Sequence, residues 1–311
     1  MTYDLRPLVP AIIVALTGMA VLLAQAFTGR GRPGPWPLLS GAGLLAALVS
    51  VLLVAGGRGL SQAAGGVYLA DPFSVFFHFL ILGIALVAVL LSPGYLRATA
   101  VTGGEYYALL LFSVVGMLGL VSCTELVSLF VALEIMSVSL YAMAGLHRER
   151  LESQESAMKY FITGAFSSAF LLYGIALLYG VSGSTMLPRI AAAVATPASG
   201  DAALLPVLGV GLLLVGFGFK VASVPFHMWA PDVYEGAPTT VTALMAAGVK
   251  ASAFAALMRV LMQALPALAS EWRPAVAVLA LLTMVVGNLG ALAQGNVKRM
   301  LAFSSVAHAG Y

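Results

Sequence analysis

The sequence is a succession of apolar runs, each about 20 residues long, separated by short stretches rich in glycine, proline or charge. That length is what an α-helix needs to cross the roughly 30 Å hydrocarbon core of a bilayer, and it limits everything else the chain can become. Nine runs fit, at 8–27, 38–55, 73–91, 106–122, 124–145, 157–180, 204–229, 239–264 and 275–294, and a tenth begins near Met300. The connections include GRGRPGPWP, GLSQAAGG, LHRERLESQES and APDVYEG. A membrane barrel is excluded, because the runs lack period-two alternation. The fold class is therefore an all-α polytopic membrane protein, a bundle of about nine to ten transmembrane helices.

Only 9% of the 311 residues are charged and 61% are hydrophobic, where a soluble domain carries about 25% charged residues. Lipid is the solvent this chain is built for. The net charge of +3 does not mark a nucleic-acid binder, because the basic residues stand singly between apolar runs. They read instead as topology signals. With the N-terminus outside, Arg30, Arg32, Arg97, Arg148, Arg150, Lys298 and Arg299 fall on the cytoplasmic side, and Arg6, Arg58, Arg189 and Arg273 on the outer side. That bias favours this orientation over the reverse. The first run ends in Ala24-Gln25-Ala26, which imitates a signal-peptidase site, but the run is too long for a signal-peptide core and reads as a first membrane helix. Cys123 is the single cysteine, which excludes disulfides, CxxC zinc sites and thiolate-held clusters within the chain.

The charges inside the apolar runs carry the functional signal. A charge at the bilayer centre costs about 2.5–3.5 kcal/mol even on insertion scales, and such residues are functional by default. Three of the four lysines, Lys159, Lys220 and Lys250, fall within helices, whereas most arginines lie in loops or near helix ends. Arginine does not give up its proton in a protein and a desolvated lysine can, so titratable cations in the membrane point to proton handling. Glu134, in LFVALEIMSVSLY, is the acidic residue at the middle of a span. The competing reading of Glu134, Lys220 and Lys250 is a structural ion pair that fixes helix packing. Lys159 follows Glu155 by one turn and suits a surface i,i+4 pair as well as a transport role. Arg259, near the end of its helix, is expected to snorkel toward the interface. Gly164 and Ser168 form a small-xxx-small pair that predicts close helix packing.

The run containing Lys220 reads GFGFKVASVPFHMWAPDVYEGAPTT over 216–240. Pro225 cannot donate to the carbonyl of Val221, which predicts a helix break one residue past Lys220. Freed carbonyls at membrane depth are tolerated only where protein or water satisfies them. His227 lies seven residues after Lys220, about 10 Å along an unbroken helix, and its titration range suits a proton relay. The alternative is a histidine that merely hydrogen-bonds at a helix end. Other motifs are discarded. Residues 29–34 match GxGxxG by letter, but they follow a membrane helix, not a strand, and open no phosphate-cradling helix. His78, His147, His227 and His308 offer no paired arrangement for haem, and no nucleophile elbow, HExxH or Walker sequence occurs.

Four stretches then resemble one family: LEIMSVSLYAMAGL around Glu134, ESAMKYFITGAFSSAFLLYGIALLYG around Lys159, FKVASVPFHMWAPDVYEGAPTTVTA, and NVKRMLAFSSVAHAGY. From about residue 70 onward the chain is similar to the subunit N family of the bacterial proton-pumping NADH:quinone oxidoreductase, respiratory complex I. More broadly it resembles the antiporter-like subunits found also in Mrp-type sodium/proton antiporters and membrane-bound hydrogenases.

The resemblance implies part of a larger inverted-repeat fold with a Pro-broken helix. On it, residues 1–105 are N-terminal membrane helices 1–3, 106–264 the first five-helix proton-channel repeat, and 265–311 the incomplete start of the second. The end inside SSVAHAGY is expected to be that of a truncated chain. The resemblance implies a proton path through Glu134, Lys220, His227, Lys250 and Lys159, with the helix break at Pro225. It implies no cofactor or metal in this chain, and NAD, FMN, iron–sulfur clusters and quinone in partner subunits. Expected partners are other membrane subunits of the complex, neighbouring antiporter-like subunits among them, and the lipid bilayer, in the bacterial inner membrane. In the mechanism it implies, Glu134 keeps Lys220 charged; when Glu134 moves or is neutralised, the proton passes toward His227 and Lys250. A subunit of an Mrp-type antiporter or membrane-bound hydrogenase is the alternative, with the same proton chemistry and a different driver.

Overall fold

The computed structural model describes residues 5–28, 34–56, 61–99, 101, 103–196 and 204–311. Arg30, Arg32 and Arg58 of the orientation argument, and most of the GxGxxG match, lie outside the described residues. Each apolar run forms a helix, because only an internally hydrogen-bonded backbone crosses lipid. In chain order these are α1 (Val9–Thr28), α2 (Trp36–Gly56), α3 (Pro72–Ala98), α4 (Gly104–Ser122), α5 (Leu126–Ala144) and α6 (Leu151–Ser182). A short α7 (Leu187–Val194) precedes α8 (Leu204–Val221) and a second short helix, α9 (Trp229–Gly236). Next, α10 (Thr239–Leu244), a π-helical turn at Met245–Val249 and α11 (Lys250–Gln263) join into one span. α12 (Ala269–Leu292) and α13 (Val297–Gly310) follow. Among the described residues nine helices are long and apolar enough to cross a membrane. The chain is a multi-pass membrane protein.

The centre of the bundle is α4, which packs against α1, α3, α5 and α11. Glycines set the closest approaches. A Cβ on Gly116 of α4 would stand 2.6 Å from the Ala132 carbonyl of α5, and one on Gly216 of α8 would stand 2.6 Å from Leu171 Cβ of α6. Any larger residue there would push apart the helices that carry Glu134, Ser168 and Lys220. The outer surface carries exposed Leu22, Leu52, Leu90 and Leu289, as expected of a bundle whose solvent is lipid.

Three details differ from the sequence reading. The all-α expectation misses a small antiparallel hairpin, β1 (Ser61–Ala63) with β2 (Tyr68–Ala70). The segment GLSQAAGG is too short for a helix, and Ala64, Gly65 and Gly66 turn the chain through positive φ. The hairpin is tied to the α4–α5 connection by Thr124 N–H donating to Val67 O at 2.9 Å. Second, α6 begins at Leu151, so Lys159 lies about two turns inside it and does not open it.

Third, Arg259 does not snorkel. Its side chain is fully buried. Its Nη1 and Nη2 donate to Asp71 Oδ2 and Oδ1 at 3.1 and 2.8 Å, and its Nε donates to Val121 O at 3.1 Å. Its guanidinium also lies 5.0 Å from the Phe73 ring centroid. Asp71 is the N-cap of α3, in a capping box with Ser74. Fixed at the N-terminus of α3, the Asp71 carboxylate thus presents inward a planar acceptor pair that matches the guanidinium fork. Burial works to raise the pKa of the Asp71 carboxyl, but Arg259 and Ser74 outweigh it and hold it below the usual carboxylate range.

Candidate functional site

Lys220 occupies the last turn of α8 and is 2% exposed. The helix ends one residue later, at Val221, and Ala222 reverses the backbone with φ +59. The break therefore falls three residues before Pro225, in a segment that contains the cis Val224–Pro225 peptide. Two of the carbonyls it frees are satisfied within the protein. Gly218 O accepts from Ser223 N–H at 2.8 Å, and Phe219 O from Ala222 N–H at 3.1 Å and from Trp229 Nε1 at 3.0 Å. Val224 N–H is taken by Thr283 Oγ1 of α12 at 2.9 Å. These contacts let a non-helical backbone exist at this depth.

The Lys220 ammonium is held by neutral groups. Nζ donates to Ser137 Oγ at 2.7 Å and to Tyr141 OH at 3.4 Å, both on α5. It also lies 5.5–5.9 Å from the ring centroids of Tyr141, Tyr160 and Phe219. Glu134 is half-buried and accepts from Ser168 Oγ of α6 at 2.5 Å. Among the described residues no ion pair joins it to Lys220. The helix explains why: Ser137 and Tyr141 lie one and two turns beyond Glu134, so the ammonium is about 4–10 Å further along the α5 axis than the carboxylate's own residue. Gly164, of the small-xxx-small pair, leaves room for Tyr141 OH against α6.

Lys250 follows directly on the π-helical turn, a local irregularity frequent at functional sites. It is buried, and its Nζ donates to Ser305 O at 2.5 Å and Ser305 Oγ at 2.8 Å, both on α13. Tyr234 of α9 is also buried. Between the two lysines runs an aromatic wall. Tyr160 stacks on Trp229 at 4.6 Å, Phe219 on Trp229 at 5.1 Å, and Trp229 meets Tyr234 edge-on at 5.7 Å.

His227 does not stand in this wall. Its ring faces Phe303 of α13 at 6.4 Å, and its buried Nδ1 has no hydrogen-bond partner among the described residues. Lys159 is also apart, in an ion cluster at one end of the bundle. Its Nζ reaches Glu155 Oε1 and Asp232 Oδ2, each at 2.6 Å, while Arg299 Nη1 reaches Asp232 Oδ1 at 2.6 Å and Glu235 Oε2 at 3.0 Å. The structure thus brings together Lys220 with α5, and Lys250 with α13. It leaves His227 and Lys159 off the line between them. Ser137, Tyr141 and Ser305 are polar partners that the sequence reading did not name, and Ser168, which it named for close packing alone, is the donor to Glu134. No cluster of three or more His, Cys, Asp or Glu residues suited to a metal ion occurs among the described residues.

The family described as NADH:quinone oxidoreductase/Mrp antiporter, TM matches residues 123–311, which contain all of these groups. The chain is 45% identical over 310 residues to the NADH-quinone oxidoreductase subunit N of Trichlorobacter lovleyi, a match that covers 100% of this chain and 63% of the relative. Among solved structures it is similar to a chain of respiratory complex I from Thermus thermophilus with bound Aureothin, with 42% identity, a TM-score of 0.80, and coverage of 97% of this chain and 62% of that one. It shares its fold with a chain of the Mrp complex from Dietzia sp. DQ12-45-1b, at 24% identity, a TM-score of 0.80, and coverage of 100% and 58%. The chain spans about three fifths of the length of the curated relatives it matches.

Proposed function

Because the chain belongs to the NADH:quinone oxidoreductase/Mrp antiporter transmembrane family, we propose that it moves protons at mid-membrane as the subunit N component of an NADH–quinone oxidoreductase in the bacterial inner membrane. The observation that carries the proposal is Lys220, a buried ammonium bonded only to hydroxyls and aromatic faces. A cation with neutral ligands leaves no orphaned counter-charge when its proton departs. Lys250 repeats the arrangement on Ser305. Hydroxyls of Ser137, Tyr141 and Ser305 can each both accept and donate a hydrogen bond, and they are bonded to the two amines. Glu134, one turn from Ser137, supplies the carboxylate whose field favours the charged form of Lys220; moving or neutralising it promotes release. His227, next to the helix break and with an unfilled ring nitrogen, serves a side branch of the path, and Lys159 acts from the ion cluster.

In this reading the chain is a non-redox subunit. NAD, FMN, iron–sulfur clusters and quinone belong to partner subunits, and neighbouring antiporter-like subunits flank this one. Residues 106–264 form the first channel repeat, between the N-terminal helices and the start of the second repeat. The Mrp-type alternative is disfavoured by identity, 24% against 42–45%.

The test begins with purification of the full-length protein from its membrane through a tag. NADH–quinone activity and iron–sulfur partners support the assignment, whereas a sodium/proton exchanger without them supports the alternative. In the reconstituted complex, Lys220→Met should keep electron transfer from the redox arm and lose most proton uptake. Undiminished pumping by that variant overturns the assignment of Lys220.

A further inference from the structure

The ion cluster around Asp232 is left over once the two buried lysines are accounted for, and its geometry ties it to both. Each Asp232 oxygen is held by a cation from a different helix: Oδ2 by Lys159 of α6 and Oδ1 by Arg299 of α13, both at 2.6 Å. All three polar residues at the start of α13 bond to α9 or its C-terminal end. Asn296 Nδ2 donates to Glu235 Oε1 at 2.7 Å, Lys298 Nζ to Glu235 O at 2.9 Å and Ala237 O at 2.5 Å, and Arg299 also reaches Glu235. Ser305, the ligand of Lys250, stands on the same α13 six residues beyond Arg299, about 9 Å along a rigid helix. On α9 itself, Trp229 forms part of the aromatic wall beside Lys220, and its Nε1 donates to Phe219 O at 3.0 Å.

We propose that Asp232 is a positioning residue: gripped jointly by Lys159 and Arg299, it fixes α13 on α9 and so keeps Ser305 on the Lys250 ammonium. The inference takes its functional meaning from the proton-path reading above, although the clamp itself is a statement about geometry. Burial acts to raise the pKa of the Asp232 carboxyl, but Lys159 and Arg299 outweigh it and hold the carboxyl below the usual range. The cluster therefore changes state by exchanging partners and not by protonating Asp232. Lys159 is the exchangeable member, since it contacts Glu155 on its own helix at the same 2.6 Å. When Lys159 moves wholly to Glu155, Asp232 loses one of its two cations and α9 loses its charged tie to α6, while Ser156 Oγ still donates to Val233 O at 3.0 Å.

The experiment uses the full-length protein in the assembled complex, with hydrogen exchange across residues 300–310 as the first readout. Asp232→Asn and Arg299→Gln should each speed exchange there about tenfold, and Asp232→Glu should restore protection. Unchanged protection in Asp232→Asn overturns the clamp. The second readout is protons pumped per electron in Asp232→Asn, Ser305→Ala and the double variant. If Asp232 acts through Ser305, the double variant pumps no worse than the poorer single one. Losses that multiply show independent action and also overturn the inference. Lys220→Met separates this from the reading beneath it: if that variant pumps normally, the proton path fails, while exchange at 300–310 still decides the clamp.

Discussion

Lys220→Met separates a proton-storing lysine from a structural clamp by stability alone. In a buried ion pair, removing one partner costs about 3–5 kcal/mol, because the other charge is left uncompensated. Among the described residues Lys220 has no such partner. Its Nζ makes one short hydrogen bond, to Ser137 at 2.7 Å, and one long one, to Tyr141 at 3.4 Å. A hydrogen bond from a charged group contributes about 1.5–3 kcal/mol, and a desolvated cation–π contact about 2 kcal/mol. Against these stands a desolvation cost of several kcal/mol for the ammonium. The two sides nearly cancel, and methionine has the unbranched shape to occupy the same space. Ser137 Oγ is not orphaned either, since it already donates to Leu133 O at 2.5 Å. Lys220→Met should therefore leave stability within about 1.5 kcal/mol of wild type, as measured by reversible unfolding of the full-length protein in mixed detergent micelles, while proton uptake collapses. A loss of 3 kcal/mol or more, roughly the range for a broken buried pair, would falsify the reasoning, because the lysine would then be holding the bundle together.

Arg259→Met, by contrast, strands Asp71 and should cost about 3–5 kcal/mol in the same unfolding assay, with Arg259→Met/Asp71→Asn recovering part of the loss. Because the folded Asp71 carboxyl is held below its ordinary range, its contribution is present above the unfolded carboxylate value and is lost as pH falls through the folded one. Stability measured from about pH 5 downward should drop more steeply in wild type than in Asp71→Asn. Ser168→Ala removes the hydroxyl that donates to Glu134; pumping per electron should fall at unchanged electron-transfer rate, and an unaltered ratio counts against a role for Glu134. Gly116→Val sets a side chain against the Ala132 backbone of α5 and should lose about 1–3 kcal/mol by overpacking, read as lowered unfolding midpoint and poorer assembly.

The spans were legible because lipid imposes a length and a composition that few other structures share, and the nine runs coincide with nine apolar helices. What periodicity could not supply was the direction of individual side chains. Ser137 and Tyr141 follow Glu134 at i+3 and i+7 on one face of α5, a spacing that marks them as neighbours, yet a helix apolar on all sides does not say which face meets Lys220. Ser305 had no local signal, since its partner is 55 residues away. Arg259 was misjudged for a related reason. Its distance from the helix end suggested escape to the interface, but the acceptor that keeps it inside is the cap of α3, 188 residues earlier. Lys159 was read as an i,i+4 partner of Glu155, and that pair exists; Asp232, the second partner, belongs to a short helix that forms only because the chain breaks after Lys220.

The ionised groups of the protein then divide by the chemistry of their partners. Arg259 of α11, paired with Asp71, and the cluster of Lys159 on α6, Asp232 and Glu235 on α9 and Arg299 on α13 are matched charge against charge. Charges matched in this way hold geometry, since neutralising any one of them strands its opposite. Lys220 of α8 and Lys250 of α11 are buried and are met by hydroxyls, a carbonyl and aromatic faces. Such ligands tolerate both protonation states, because a hydroxyl that accepts from an ammonium can turn and donate to an amine. The arrangement fits a protein in which fixed ion pairs hold the helices in register and the unpaired lysines change charge.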